Sequence, residues 1–269
     1  MELLPGVIKE ERDGYALYVV ERFSDELKQE IRRYLTKICR GASQAASAKI
    51  MYSYRETAKE FTRLYKTSTI VSQNRQKGLV GELLAHLLLE IEGHFIAATP
   101  FYNSEERSFK KGFDIMLIDP KTQELWIAEI KSGSKPQQKQ ATSAIVSLLN
   151  KAQTDLRSRL GERKSANVSL WHNAVQAARN AMSDSNSLKA TVISLLEDCG
   201  DNVVLERNSS QTFNVVLIGA LFHPTTSERI DATIVGKKHA KIVEAQYFKN
   251  ALVVAIQKGN FRGRLRFFK

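Results

Sequence analysis

The sequence predicts an α/β protein: a central mixed sheet flanked by helices, with an N-terminal α/β region and a helical insertion. Two observations lead there. Apolar runs of strand length, bounded by turn residues, recur along the chain. Between them lie longer windows whose apolar residues fall at helical spacing. With 269 residues there is enough chain to bury a substantial core, as one large domain or two modest ones.

Residues 15–23 alternate enough to read as a strand, after which Ser24, Asp25 and Glu26 cap a helix with a stripe of Leu27, Ile31, Tyr34, Leu35 and Ile38. GASQAASA, at 41–48, is a break or a weak helix start. Beyond it Met51, Tyr54, Ala58, Phe61, Leu64 and Tyr65 trace another amphipathic helix, and the polar, basic residues 66–78 read as a loop. A helix follows at 79–92, then a strand at 94–101, two hairpin strands, and a helix at about 137–160. That last helix carries Ile145, Leu148, Leu149, Ala152, Leu156 and Leu160, and Gly161 ends it. Helical segments near 168–182 and 187–197 form an insertion that could clamp substrate, bind a partner or cover the sheet. FNVVLIGALF, at 213–222, is the next core strand, and a final strand at 252–257 leads into a basic aromatic tail. The expected division is an N-terminal α/β region over 1–74 and a second domain over 75–269, with the insertion at about 162–210.

Composition narrows the function classes. Forty Lys and Arg against 29 Asp and Glu give a net charge of +11. Such a balance favours a polyanionic partner, whose phosphates would supply sequence-independent, salt-sensitive affinity. Cys39 and Cys199 lie far apart and match no metal or redox spacing, so they read as thiols in a reducing cytosol. The five histidines are scattered, and neither HExxH nor a paired Cys-x-x-Cys occurs, which argues against zinc. No GxxxxGK[ST] loop is present, so an ATP-driven step would need another polypeptide. No stretch approaches about 20 apolar residues, and the N-terminus lacks a secretory pattern; no membrane association and a cytoplasmic location are expected.

The chemistry concentrates at 112–133, GFDIMLIDPKTQELWIAEIKSG. Residues 115–118 and 125–130 are short apolar runs separated by Asp119-Pro120, the pattern of a hairpin. A turn centred between Lys121 and Thr122 sets Asp114 directly opposite Glu129, provided no bulge shifts the register. Opposed residues hold their Cβ atoms about 4.5 to 5.5 Å apart, and like charges so placed destabilise a sheet unless something offsets them. A divalent cation sharing both carboxylates would do so, and Mg²⁺ (or Mn²⁺) suits a site of one or two carboxylates completed by water and phosphate. Side chains alternate along a strand, so Lys131 returns to the face of Glu129, and its register partner Gly112 has no side chain to obstruct it. The bland alternative is a polar strand opening at Asp114 and an exposed pair at Glu129 and Lys131. Against it, both faces of these strands are otherwise apolar, as in internal strands covered by helices.

Asp114, fourteen intervening residues and then Glu129-Ile130-Lys131 resemble the active-site signature of the PD-(D/E)XK nuclease superfamily, although Phe113 stands where that signature has proline. The resemblance covers roughly residues 75–160 and extends to the strand near 214–223. It implies a restriction-endonuclease-like core and a Mg²⁺-dependent endodeoxyribonuclease, with Asp114 and Glu129 holding the metal and Lys131 stabilising charge. It also implies a glutamate from the preceding helix, which here would be Glu82. On the helical wheel Glu82, His86 and Glu90 form a narrow polar strip beside an extensive apolar surface. Glu82 could therefore face the metal or lie on a solvated edge, while His86 and Glu90 read as surface residues. The order of a GELLAHLLLE helix, an FD strand and a WIAEIKSG strand is similar to the HamA-like nuclease subunit of the Hachiman anti-phage system. That similarity implies a DNase held in check by a helicase partner. A restriction or transposon-type endonuclease would show the same core, and a non-catalytic nucleic-acid-binding or assembly subunit would keep the fold without the reaction.

Lys110 and Lys111 before Asp114, and Lys135 and Lys139 after the Glu129 strand, are the basic residues expected to contact DNA. The tail, with Lys258, Arg262, Arg264, Arg266 and Lys269 beside Phe261, Phe267 and Phe268, is either a further contact or an edge strand. Gln137, Gln138 and Gln140 would open the following helix as substrate-orienting groups or as a polar first turn.

Overall fold

A computed structural model describes residues 1–71, 73–102, 112–161 and 166–259. Its centre is an eight-stranded mixed sheet in the order β1-β2-β3-β8-β7-β6-β5-β4. Three antiparallel N-terminal strands, β1 (Glu2–Leu4), β2 (Val7–Arg12) and β3 (Tyr15–Val20), open the chain. Helix α1 (Asp25–Arg40) follows, its first turn capped by the Ser24 hydroxyl, which accepts the Leu27 amide at 3.1 Å. It ends at Gly41, whose φ of +96° and close approach to Ala181 leave no room for a side chain. After a short turn of helix, α2 (Ala42–Ala45), come α3 (Tyr54–Val71) and α4 (Gln73–Glu92).

The expected loop at 66–78 is therefore helical on both sides of residue 72. Lys66, Gln73, Arg75, Gln76 and Lys77 there are good helix formers, and Gln76 turns inward to donate to the Tyr65 carbonyl at 3.0 Å. The strand expected at 94–101 is reduced to β4 (Ile96–Ala97), at the sheet edge beside β5 (Ile115–Ile118). Next come β6 (Leu125–Ser134), α5 (Ala141–Gly161), α6 (Ala166–Ala181), α7 (Lys189–Val204), β7 (Asn214–Phe222), α8 (Ala232–Glu244) and β8 (Asn250–Lys258). Helix α5 starts later than about 137, because a turn closed by the Lys139 amide on the Pro136 carbonyl precedes it. Gln137, Gln138 and Gln140 thus lie ahead of the helix, whose Ala141 amide is capped at 2.6 Å by Glu228, far along the chain.

Strands β3, β8, β7 and β6 run parallel to one another. Every residue of β7 is buried, as expected of a parallel strand covered on both faces. Each fully buried Leu, Ile or Val there contributes about 1.5 to 3 kcal/mol. One face of the sheet, with Met116, Ile118, Ile127, Val215 and Leu217, meets α5 and α8. The other, with Ile115, Leu117, Ala128, Ile130 and Ile218, meets α1, α3 and α4. Helices α6 and α7 join the α5 side, where Trp171 packs on Phe113 and Phe213 at 4.8 and 5.4 Å between ring centroids. The insertion therefore helps to cover the sheet. Because β3 pairs with β8, the N-terminal region shares this sheet with the rest of the chain. No helix among the described residues is long and apolar enough to cross a membrane.

Candidate active site

The β5–β6 hairpin forms in the predicted register. Its turn is pinned by the Asp119 carboxylate, which accepts the amides of Lys121 at 2.8 Å and Thr122 at 3.3 Å. Ile118 pairs with Leu125 and Ile115 with Ala128, so the next residues outward, Asp114 and Glu129, stand opposite one another. Asp114 Oδ2 accepts the Ile130 amide at 2.7 Å, which ties its carboxylate to the β6 backbone. Glu129 shares the parity of Ile127 and points to the α5 side, where it is fully buried.

Two cations meet Glu129 there. Lys131 Nζ lies 2.8 Å from Glu129 Oε1, and Arg159 of α5 donates to the same oxygen. Arg159 also donates to the Gly112 carbonyl at 3.1 Å, and Asp155, one turn earlier on α5, takes Lys131 Nζ at 2.7 Å. Helix α5 runs along β6 so that Leu148 rests over Gly133 while Asp155 and Arg159 reach Lys131 and Glu129. With Asp155 49% exposed and Lys131 27% exposed, the outer side of the cluster meets solvent while its base is dry.

The electrostatics follow. Burial, and after it the negative charge of Asp114, pushes the Glu129 carboxyl up to about 7, against the pull of Arg159 and Lys131. Burial works against the Lys131 ammonium, but Glu129 and Asp155 outweigh it and its pKa lies above the usual lysine value. Lys131 is therefore a cation and hydrogen-bond donor at neutral pH. Glu129 Oε2 is buried with no hydrogen-bond partner among the described residues. A buried carboxylate oxygen without a donor is costly, and a hard cation is the group that such an oxygen, opposite a second carboxylate, can accept. The residues present thus fit a Mg²⁺ or Mn²⁺ ion, with Asp114 and Glu129 as the groups that would hold it.

Helix α4, which bears the half-buried Glu82, rests through Gly81 on Ser132 and Ala220, on the sheet face opposite α5. His86 and Glu90 are expected at the surface, but His86 is buried edge-on to Phe101 at 6.0 Å, and the Glu90 side chain, 7% exposed, pairs with Lys37 at 2.6 Å. Flanking by α1 and α3 leaves α4 almost no solvated side. Lys135 and Lys139 occupy the turn after β6, where Lys135 donates to the Lys139 carbonyl at 2.8 Å and Lys139 to the Ser147 hydroxyl at 3.4 Å. Lys110, Lys111 and the tail beyond residue 259 lie outside the described residues. Sequence reasoning missed Asp155 and Arg159. The signal was there, because Leu148, Ala152, Asp155 and Arg159 follow one helical stripe whose last two members turn polar.

A second group of ligand types, Glu11, Glu92 and His94, brings its donor atoms within 4.8 Å of one another. Lys9 already bridges its two carboxylates. The Lys9 ammonium, 4% exposed, lies 2.5 Å from Glu92 and 2.7 Å from Glu11.

A family model described as HamA matches residues 7–256, from the start of β2 into β8. No significant match is found among curated proteins.

Proposed function

The chain belongs to the HamA family, which ties it to Hachiman anti-phage defence, and on that premise we propose that it is a metal-dependent endodeoxyribonuclease of the PD-(D/E)XK type. The observation that carries this reading is the placement of Asp114 opposite Glu129, with Glu129 Oε2 buried and without a donor among the described residues. The run α4, β4, β5, β6, α5, β7 also follows the order of parts expected of that superfamily's core.

Asp114 and Glu129 would hold Mg²⁺ or Mn²⁺, which when bound polarises a phosphoryl oxygen and lowers the pKa of a coordinated water. The Ile130 amide fixes the Asp114 carboxylate, and the closed α5 face keeps bulk water from Glu129. Lys131, held as an ammonium on the same face, stabilises the charge that develops on the phosphoryl group or orients the attacking water. The net charge of +11 supports DNA as the polyanionic substrate, with Lys135 and Lys139 beyond the C-terminal end of β6. A helicase partner would supply the ATP-driven control for which this chain has no loop of its own.

The test is cleavage of plasmid and linear DNA with Mg²⁺ or Mn²⁺, against EDTA and the Glu129→Ala/Lys131→Ala protein, alone and with any copurifying partner. Metal-dependent cutting lost in the double variant supports the reading. Absence of cutting under every condition moves the chain to the assembly-subunit alternative.

A further inference from the structure

The α5 residues Asp155 and Arg159 are spaced so that one reaches Lys131 and the other Glu129, and neither belongs to the Asp-Glu-Lys signature. Arg159 joins three things: the Glu129 carboxylate, the Gly112 carbonyl two residues before Asp114, and the last turn of α5. It thereby supplies positive charge at the carboxylate that a metal would use. Asp155, 49% exposed, sits at the solvent side and takes the Lys131 ammonium that also meets Glu129.

We propose that Asp155 and Arg159 are positioning residues of this site with opposite relations to the metal: Arg159 is a resident cation that stands in for it at Glu129 and opposes its binding, whereas Asp155 fixes Lys131 for reaction without affecting metal affinity. The proposal rests on the metal-dependent reading above. Its physical basis is charge. A guanidinium on one oxygen of Glu129 and a divalent ion on the other would be near neighbours in a dry pocket, where like charges repel far more strongly than in water. Metal binding must overcome that repulsion or displace the guanidinium, and displacement would release the Gly112 carbonyl at the head of β5 as well. Asp155 meets the site through Lys131, so its loss leaves the carboxylate pair intact but frees the ammonium to wander.

The experiment is titration of Mn²⁺ alone into the full-length protein, with any copurifying partner retained, followed by calorimetry. The variants are Arg159→Gln, Arg159→Lys, Asp155→Asn and Glu129→Gln, and each is also assayed for kcat and KM on plasmid DNA. Arg159→Gln should bind Mn²⁺ about tenfold more tightly or better, and Arg159→Lys should stay near the wild type. Asp155→Asn should leave Mn²⁺ affinity within about twofold and KM unchanged while lowering kcat by about ten- to a hundredfold. A merely structural role would weaken metal binding in both α5 variants, or in neither with kcat unmoved, and either result overturns the proposal. If Glu129→Gln abolishes Mn²⁺ binding but Arg159→Gln does not tighten it, the metal site stands and this proposal falls. If no variant binds Mn²⁺ in a Glu129-dependent manner, the metal reading itself is wrong and the proposal falls with it.

Discussion

Two glutamates, Glu129 fully buried and Glu92 with its side chain 9% exposed, stand on different parts of the fold, each with a lysine on one oxygen and a buried second oxygen that has no hydrogen-bond partner among the described residues. They differ in what surrounds them. Around Glu92, Lys9 reaches from β2 to the end of α4, is itself almost wholly buried, and takes a second carboxylate from Glu11 on its own strand. Tyr18 packs there too, its hydroxyl pushed up by burial and by the charge of Glu92. This is a brace between strand β2 and helix α4. Around Glu129 the opposed acid comes from the neighbouring strand in register, the lysine is on the same strand and partly solvated, and the outer side is open. A buried carboxylate becomes a candidate site when its compensating charges can be exchanged for a ligand, and a structural tie when they cannot.

The largest expected effect separates the two. Glu129→Ala/Lys131→Ala should reduce metal-dependent cleavage by about a thousandfold or more, whereas Glu92→Gln should leave cleavage at the wild-type level. A parallel loss in Glu92→Gln would erase the distinction. On stability the order reverses. Lys9→Met strands the Glu92 charge in the interior and should cost about 3 kcal/mol in urea unfolding, most of it recovered in Lys9→Met/Glu92→Leu. Equal costs for the single and double variants would show that packing, not charge, holds this corner.

Protonation gives a smaller test. The folded pKa of Glu129 lies near 7, above the 4.5 of an ordinary glutamate. The stability it contributes is therefore complete below about 4.5 and is lost as pH rises through about 7. Relative to Glu129→Gln, the metal-free wild type should match at pH 4.5 and be less stable by about 3 kcal/mol at pH 8, as read by thermal melts. A constant difference between those pH values would contradict the assigned environment. The smallest effect is at Glu11, 49% exposed, where Glu11→Gln should cost less than about 1 kcal/mol despite its short contact with Lys9. A cost comparable to Lys9→Met would make the brace a three-member unit.

The hairpin was readable from sequence because it is local: Asp119-Pro120 sets the turn, and a period of two then carries Asp114 to Glu129 without any knowledge of the rest of the fold. The core strands 214–222 and 250–258 announced themselves by continuous apolar runs. What depended on packing between distant segments was hidden. Asp155 and Arg159 become neighbours of Lys131 and Glu129 only when α5 docks along β6 in one register, and Lys9 meets Glu92 across 83 residues. Strand β2, VIKEER, carries no sustained apolar run, because its second half is exposed. Helix α8 carries a modest apolar stripe interrupted by Lys237, Lys238 and Lys241, and only its packing on β8 and β3 identifies it. His86 and Glu90 were misplaced for the same reason, since their burial comes from neighbouring elements and a distant lysine.

The most direct measurement is an anomalous difference map from crystals of the protein soaked in Mn²⁺. The account predicts a peak about 2.1 Å from carboxylate oxygens of both Asp114 and Glu129, with Arg159 drawn away from Glu129. A peak among Glu11, Glu92 and His94 with none at Asp114 and Glu129 would contradict it.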